Sequence, residues 1–533
     1  MTRTNRLLKE APLSYRTLKL RASAEMGLAT LAIDRGDHPA ALLRVNQACA
    51  SLRQALEIAR SDKESWLNLG RAADHLIYLS RFLGGDPRES WALGMGACAK
   101  ARSLDPADPV PLIQEAELIR SLARAEEAKG IDPSASFGEA IARLDEALRL
   151  SPENLEARKK LGLLYWSLAN VAVDHQQPCL ELLEKAEGHL RRVLAQRPGD
   201  VFAVAILLDV IFDQCQDRDR RGEDVLPSLD QAIVVFEKSR ELEPANGRIQ
   251  NVGVILHIQR GAIRGARGQD PLPDLDRGLS LVDEVIGRNP AYVSAISNRS
   301  LLLRLRAEQK WRTGAPYEAD LEEALATAQR GMKVRATNDT LLNLGAAHTL
   351  RGTLRARVGG DPRKDLAEAL EQFARAEQQD PQNPSIFYNK VEARLMEAEW
   401  LLRQGRSAAE VLRACRRDLE HVRPMAPESP DLLTSQAKAF EMEALEAARA
   451  GGSPAPLLKR ALTALEPFEK QLLQIPERKA LRARLLRRLA DCERGPAAEK
   501  LREQARVLLV RALAENPFLT SEYGGGAGLR PGG

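Results

Sequence analysis

Proline recurs in this chain at a fixed interval. Pro106, Pro152, Pro198, Pro244 and Pro290 follow one another at steps of 46 residues. The series continues through Ala336 and then Pro381, Pro427, Pro476 and Pro517, at steps of 45, 46, 49 and 41 residues. One step back from Pro106 lies Arg60, so eleven units run from about residue 15 to Pro517. Self-similarity at a period of this size marks a stacked array, in which one small helical or strand unit repeats along the chain.

A second break recurs inside each unit, at Pro39, Pro87, Pro133, Pro178, Pro227, Pro271, Pro316, Pro362 and Pro454. Several lie in stretches such as Gly84-Gly85-Asp86-Pro87 and Gly359-Gly360-Asp361-Pro362. Gly suits the end of one helix, Asp caps the next, and Pro is tolerated in its first turn. Ser61-Asp62-Lys63-Glu64 has the form of a capping box opening the second unit. Each unit therefore reads as a helix A of roughly 20–24 residues followed by a helix B of roughly 14–17, with helix A about 30–35 Å long.

Helix B carries a size code. Twelve residues before each turn stand Ala48, Gly94, Ala140, Ala186, Ala232, Gly278, Ala324 and Ala369, all small. Eight before stand Leu52, Cys98, Leu144, Leu190, Phe236, Val282, Ala328 and Phe373, mostly larger; five before, the residues are again mostly small, as at Ala55, Ala101, Ala147 and Ala376. Small–large–small–Pro at this spacing resembles helix B of the tetratricopeptide (TPR) motif. Trp66-Leu67-Asn68-Leu69-Gly70, Leu161-Gly162 and Leu341-Leu342-Asn343-Leu344-Gly345 resemble its first helix. The expected fold is all-α: a right-handed, TPR-like superhelical solenoid of about eleven helical hairpins, continuous from residue 15 to 517. A polar segment (1–14) precedes it and a Gly-rich flexible tail (518–533) follows. The period is the departure from the family, 46 residues where the TPR has about 34. The extra length is expected in both helices and the turn between them.

Composition narrows the function. The 78 basic and 74 acidic residues intermix to a net charge of only +4, a solvated mixed surface with no polyanion-binding bias of its own. No apolar run of signal-peptide or membrane-span length occurs, and the six cysteines form no CxxC pair. These features are read as those of a cytoplasmic protein with no membrane contact.

Candidate chemistry is sparse. His175 and Cys179 stand four apart, but Pro178 interrupts the helical register and no second pair follows, so no metal is expected. Asp213, Asp217, Asp219, Glu223 and Asp224 lack the ligand order of a calcium loop and read as a salt-bridged turn. No Ser, Cys or carboxylate pairs with a His for nucleophilic catalysis, so neither an enzyme nor a cofactor is expected. Two sets remain as candidate partner contacts. Asn68, Asn298, Asn343 and Asn389, with Asn251, recur early in helix A, where some TPR domains clamp a peptide carboxylate. Arg482, Arg487 and Arg488 belong to a basic run, residues 478–488, that would serve an acidic partner or a nucleic acid.

The leading expectation is a bacterial protein–protein interaction scaffold that holds a peptide or a partner helix in a helix-A-lined concave groove. Long-period arrays of this composition also resemble the TPR regions attached to bacterial serine/threonine protein kinases. The closing segment, from Arg511 to Leu519, is similar to the end of such proteins. No kinase catalytic motif is present. That resemblance implies a regulatory arm detached from the kinase or encoded beside it. Gly70, Ala140, Gly162, Ala186, Ala232, Ala324, Gly345 and Ala369 are expected to set the helix packing.

Overall fold

The computed structural model describes residues 14–34, 37–175, 177–220, 223–242, 244, 246–425, 429–466 and 475–523. Among these the regular structure is helical throughout, and consecutive helices pair as A and B. The pairs are α1 (Tyr15–Asp34) with α2 (His38–Ile58), α3 (Lys63–Leu83) with α4 (Pro87–Leu104), and α5 (Val110–Glu127) with α6 (Ser134–Leu150). Then come α7 (Leu155–Asp174) with α8 (Leu180–Gln196), α9 (Val201–Arg220) with α10 (Leu226–Leu242), and α11 (Gly247–Ala266) with α12 (Leu272–Arg288). They are followed by α13 (Val293–Arg312) with α14 (Glu318–Val334), α15 (Asn338–Arg357) with α16 (Arg363–Gln379), and α17 (Pro384–Arg403) with α18 (Ala409–Val422). The last are α19 (Pro430–Arg449) with α20 (Ala455–Ala464), and α21 (Pro476–Ala490) with α22 (Pro496–Glu515). A 3₁₀ turn (Pro517–Leu519) and the short α23 (Thr520–Tyr523) end the described chain.

The regular middle of the array is uniform. Helices A from α7 to α19 each have 20 residues. Helices B from α6 to α16 each have 17. The added length over a TPR hairpin thus lies in the helices, and a helix A of this size spans about 30 Å. Punctuation follows the sequence period. Gly84 closes α3 in the left-handed conformation at φ 77°, where a Cβ would be strained, and Asp86 then caps α4 by accepting a hydrogen bond from the Arg88 amide. Left-handed glycines recur one period apart at Gly84 and Gly130, and again at Gly268 and Gly314. Pro427 lies outside the described residues.

Packing is a lock between small and large side chains. Ala140, Ala186, Ala232, Ala324 and Ala369 are wholly inaccessible, as are Leu144, Leu190, Phe236 and Phe373 one turn later. The large residue of helix B seats on a glycine of helix A, of its own hairpin in three cases and, for Phe236, on Gly253 of the next. A Cβ on Gly162 would lie 2.6 Å from Leu190, one on Gly345 would lie 2.3 Å from Phe373, and one on Gly70 would lie 3.2 Å from Cys98 Sγ. The small residue of helix B receives a leucine from the following helix A: a Cβ on Gly94 would lie 2.6 Å from Leu118, and one on Gly278 2.9 Å from Leu302. Each hairpin thus buries its apolar faces only against its neighbours, which is the TPR-like arrangement.

The described residues group into two compact units, divided between Gln214 and Cys215 inside α9. The tail expected from residue 518 is structured through Tyr523. Leu519 and Tyr523 are apolar enough to bury, and they seat against Ala480 and Ala512. The Gly-rich segment 524–533 lies outside the described residues.

Candidate functional site

In the second unit the helices A from α13 to α21 line a lumen of about 420 Å³. Its apolar wall includes Trp311, Leu350, Leu395, Met396 and Met442. Charged groups alternate across it. Glu308 of α13 is paired with Arg312 at 2.7 Å. Lys438 of α19 reaches Glu477 of α21 at 3.5 Å. Burial alone would lower the Lys438 pKa, but the charges of Glu477 and Glu392 outweigh it and raise the pKa. In return Lys438 holds the Glu477 carboxyl below the usual range. Glu392 keeps accessible surface and faces this lumen, and the surrounding protein, by stripping its water, pushes its pKa up. Glu522 from the chain end completes the lining.

The first unit carries its own charged cluster on helices A. Glu117 of α5 pairs with Arg120 at 3.0 Å and with Lys160 of α7 at 2.8 Å. Asp74 of α3 has a buried Oδ1 with no hydrogen-bond partner. Burial, assisted by the Glu117 charge, raises its pKa to about 6.

The predicted contact residues fall in different settings. Asn389 lines the lumen and donates to the Ser385 carbonyl at 2.7 Å. Asn298 donates to Asn251 at 3.0 Å, and Asn343 donates to the Ser297 carbonyl at 3.1 Å, so these two tie one helix A to the next. Asn68, in the first unit, accepts from Arg71 at 2.7 Å. Of the lysines a carboxylate clamp would need, Lys159 is engaged by Glu156 and Asp200, and Lys160 by Glu117. The basic run on α21 is largely neutralised in place. Arg484 and Arg488 grip the inaccessible Glu441 at 2.8 and 2.7 Å, Arg478 meets Asp431, and Lys479 meets Glu515. Arg487 lines a groove between α21 and α22, and both it and Arg482 take part in interactions of their own.

One motif went unread in the sequence. Asp274, Asp320 and Asp365 begin successive helices B, about one period apart, and all three are buried. Each is clasped by two cations from the preceding helix A. Arg260 and Arg264 both approach Asp274 within 2.7 Å, Arg306 and Lys310 approach Asp320 at 2.7 and 2.8 Å, and Arg351 and Arg355 approach Asp365 at 2.7 and 2.8 Å. His257 adds a contact to Asp274 at 3.1 Å. The spacing was the available signal. His348, Asp365 and Glu368 are the one group of potential metal ligands gathered among the described residues, and two arginines already supply the positive charge there. His175 and Cys179 form no such group.

The fold and the lumen define the chain as a TPR-like array of helical hairpins with a charged, helix-A-lined interior. No protein-family model matches it, and no curated protein does. Among solved structures it is similar to human IFIT1, seen as a dimer with m7Gppp-AAAA, at 13% identity and a TM-score of 0.41 over 84% of this chain and 90% of that one. It is similar to yeast Tom70 at 12% identity and a TM-score of 0.34, over 94% and 97% of the two chains. It is also similar to TTC0263, a thermophilic TPR protein of Thermus thermophilus, at 17% identity and a TM-score of 0.26, over 45% of this chain and 97% of that one. Likenesses this distant concern the course of the helices alone. Among the described residues no helix is long and apolar enough to cross a membrane.

Proposed function

We propose that the chain is a non-enzymatic interaction scaffold and that the lumen of its second unit holds a peptide or a partner helix. The observation that carries this reading is the lining of the lumen. Five successive helices A contribute an apolar wall together with Asn389, Glu392 and Lys438, groups that can pair with main-chain amides and carbonyls. An extended peptide or one face of a helix meets both needs, burying side chains on the wall and satisfying its polar groups on the rim. The bacterial, cytoplasmic and kinase-associated setting is a further part of the proposal. It rests on composition and on the closing segment from Arg511 to Leu519, and a kinase domain in the adjacent coding sequence would support it.

Site-specific photo-crosslinking in cells tests the lumen. With p-benzoylphenylalanine in place of Met396, a partly buried residue of the lumen wall, a defined partner segment is expected to attach. The same probe at Val358, which is 78% exposed, should capture nothing in common with it. Identical capture from both positions would sink the proposal.

A further inference from the structure

We infer that the open end of the second unit is a seat for an acidic amphipathic helix supplied by a partner protein. The argument starts from the size code. Counted back from Pro517, the small, large and small positions of α22 are Ala505, Leu509 and Ala512, the pattern that upstream helices B use to stack on a following helix A. In those hairpins the first small position is filled by a leucine of the next helix, as Gly94 is by Leu118 and Gly278 by Leu302. After α22 no such helix follows among the described residues. Its place is an open groove of about 890 Å³, walled on α22 by Leu509 and the 49% exposed Val510 above an already buried Ala505. Tyr523 and Leu519 cover only one margin of this end, where they pack with Ala480 and Ala512.

The groove is therefore shaped for a helix, and its charge says which kind. Arg484, Arg487, Arg488, Arg502 and Arg506 line it, against the carboxylates Asp491 and Glu522. Arg484 and Arg488 are held from behind by Glu441. Arg502 and Arg506 keep 55% and 67% of their side chains accessible, with Asp491 at 3.8 Å and Glu503 at 2.7 Å. Pairs this exposed exchange partners at little cost. A helix with an Ala/Leu stripe and flanking Asp or Glu complements the groove in shape and charge. Residues 524–533 contain no acidic side chain and six glycines, so they lack both features. The first helix of a second copy carries Arg16 and Arg21, which add positive charge where the groove calls for negative.

Two fluorescein-labelled peptides of about 20 residues, long enough to match a helix A, distinguish the alternatives. Both carry one Ala/Leu stripe, with Glu at the flanking positions in the first and Lys in the second. In fluorescence anisotropy with the full chain, the Glu peptide is expected to saturate and to weaken as salt rises. The variant Arg502→Glu/Arg506→Glu should weaken it about tenfold or more, which is a loss of about 1.4 kcal/mol. Unchanged circular dichroism and melting of that variant establish that both proteins are folded. The inference is overturned if the Lys peptide binds equally, if the variant binds like the parent, or if no binding occurs up to about 1 mM, the weakest affinity of interest. It is also overturned if a single-stranded oligonucleotide displaces the Glu peptide and loses binding in the same variant, which would assign the groove to nucleic acid. Concentration-dependent self-association that displaces the peptide would assign it to a second copy.

Discussion

At the scale of single residues, the array is held in register by which positions lack a side chain. Gly345 sits where a Cβ would meet the Phe373 ring at 2.3 Å, whereas Gly188 on α8 has nothing within 4 Å of the same atom. Both are helical glycines, so propensity alone favours alanine at each by about 0.5–1 kcal/mol. Sterics reverse the sign at Gly345, because Phe373 is inaccessible and has no room to retreat. Gly345→Ala is expected to destabilise by about 1–3 kcal/mol, and Gly188→Ala to stabilise slightly. Urea titration of the two variants decides it, and equal shifts would mean that the glycine and the phenylalanine do not interlock. The buried face of helix B was legible in the sequence, because small and large residues stand at fixed distances from a periodic proline, as Ala140 and Leu144 on α6 illustrate. Which glycine of helix A receives the large residue was not, since that pairing appears only when the two helices meet.

At the scale of the hairpin, the acid–base clasps in the second unit join the end of helix A to the start of helix B. Burial would raise the pKa of Asp320, but hydrogen bonds from Arg306 and Lys310 outweigh it and hold the carboxyl below its ordinary range. Asp274 behaves alike, with His257 and Arg260 as the donors that overcome its burial. A carboxyl with a depressed folded pKa contributes stability that is fully present above its unfolded value, about 3.9, and is lost as pH falls through the folded value. Asp320→Asn should therefore cost about 1.5–3 kcal/mol at pH 7, and the gap to the parent should close in strong acid. Thermal melts at pH 7, 5 and 3 measure this. Lys459→Ala, which removes an exposed partner of Glu493, is expected to leave the melting temperature unchanged. A gap that stays constant with pH would assign the loss at Asp320 to shape instead of charge. The clasp was encoded at the same period as the prolines. It escaped the sequence reading because Asp at a helix start has an ordinary explanation as a cap, whereas none of the three caps its helix and only the approach of two cations shows what each does.

At the scale of the whole molecule, the second unit contains a contact that no periodicity could disclose. Asn516, which is 1% exposed, donates its side-chain amide to the carbonyls of Gly265 and Ala266 at 3.0 Å each, across 250 residues of sequence. Those carbonyls are among the last of α11, which have no partner within their own helix. Close by, Gly268 adopts φ 73° and leaves room for the backbone at Glu515: a Cβ there would lie 2.5 Å from the Glu515 carbonyl oxygen. Further along the same chain end, Glu522 approaches Arg357 at 3.8 Å and faces the lumen. The chain end thus fastens the last hairpin of this unit to its α11 hairpin, and the lumen lies among the helices between. The lumen was illegible in the sequence for the same reason: its lining comes from five hairpins that meet only after the stack has formed. Asn516→Ala removes a buried donor from two carbonyls, and it is expected to cost about 1–3 kcal/mol. The loss should be local to the two ends that the residue joins. Amide hydrogen exchange is the decisive measurement, with faster exchange expected in residues 496–523 and also around 263–268, and none in the first unit. If only residues 516–523 lose protection while α11 keeps its own, Asn516 merely caps the 3₁₀ turn through its bond from the Phe518 amide, and the fastening has no energetic weight.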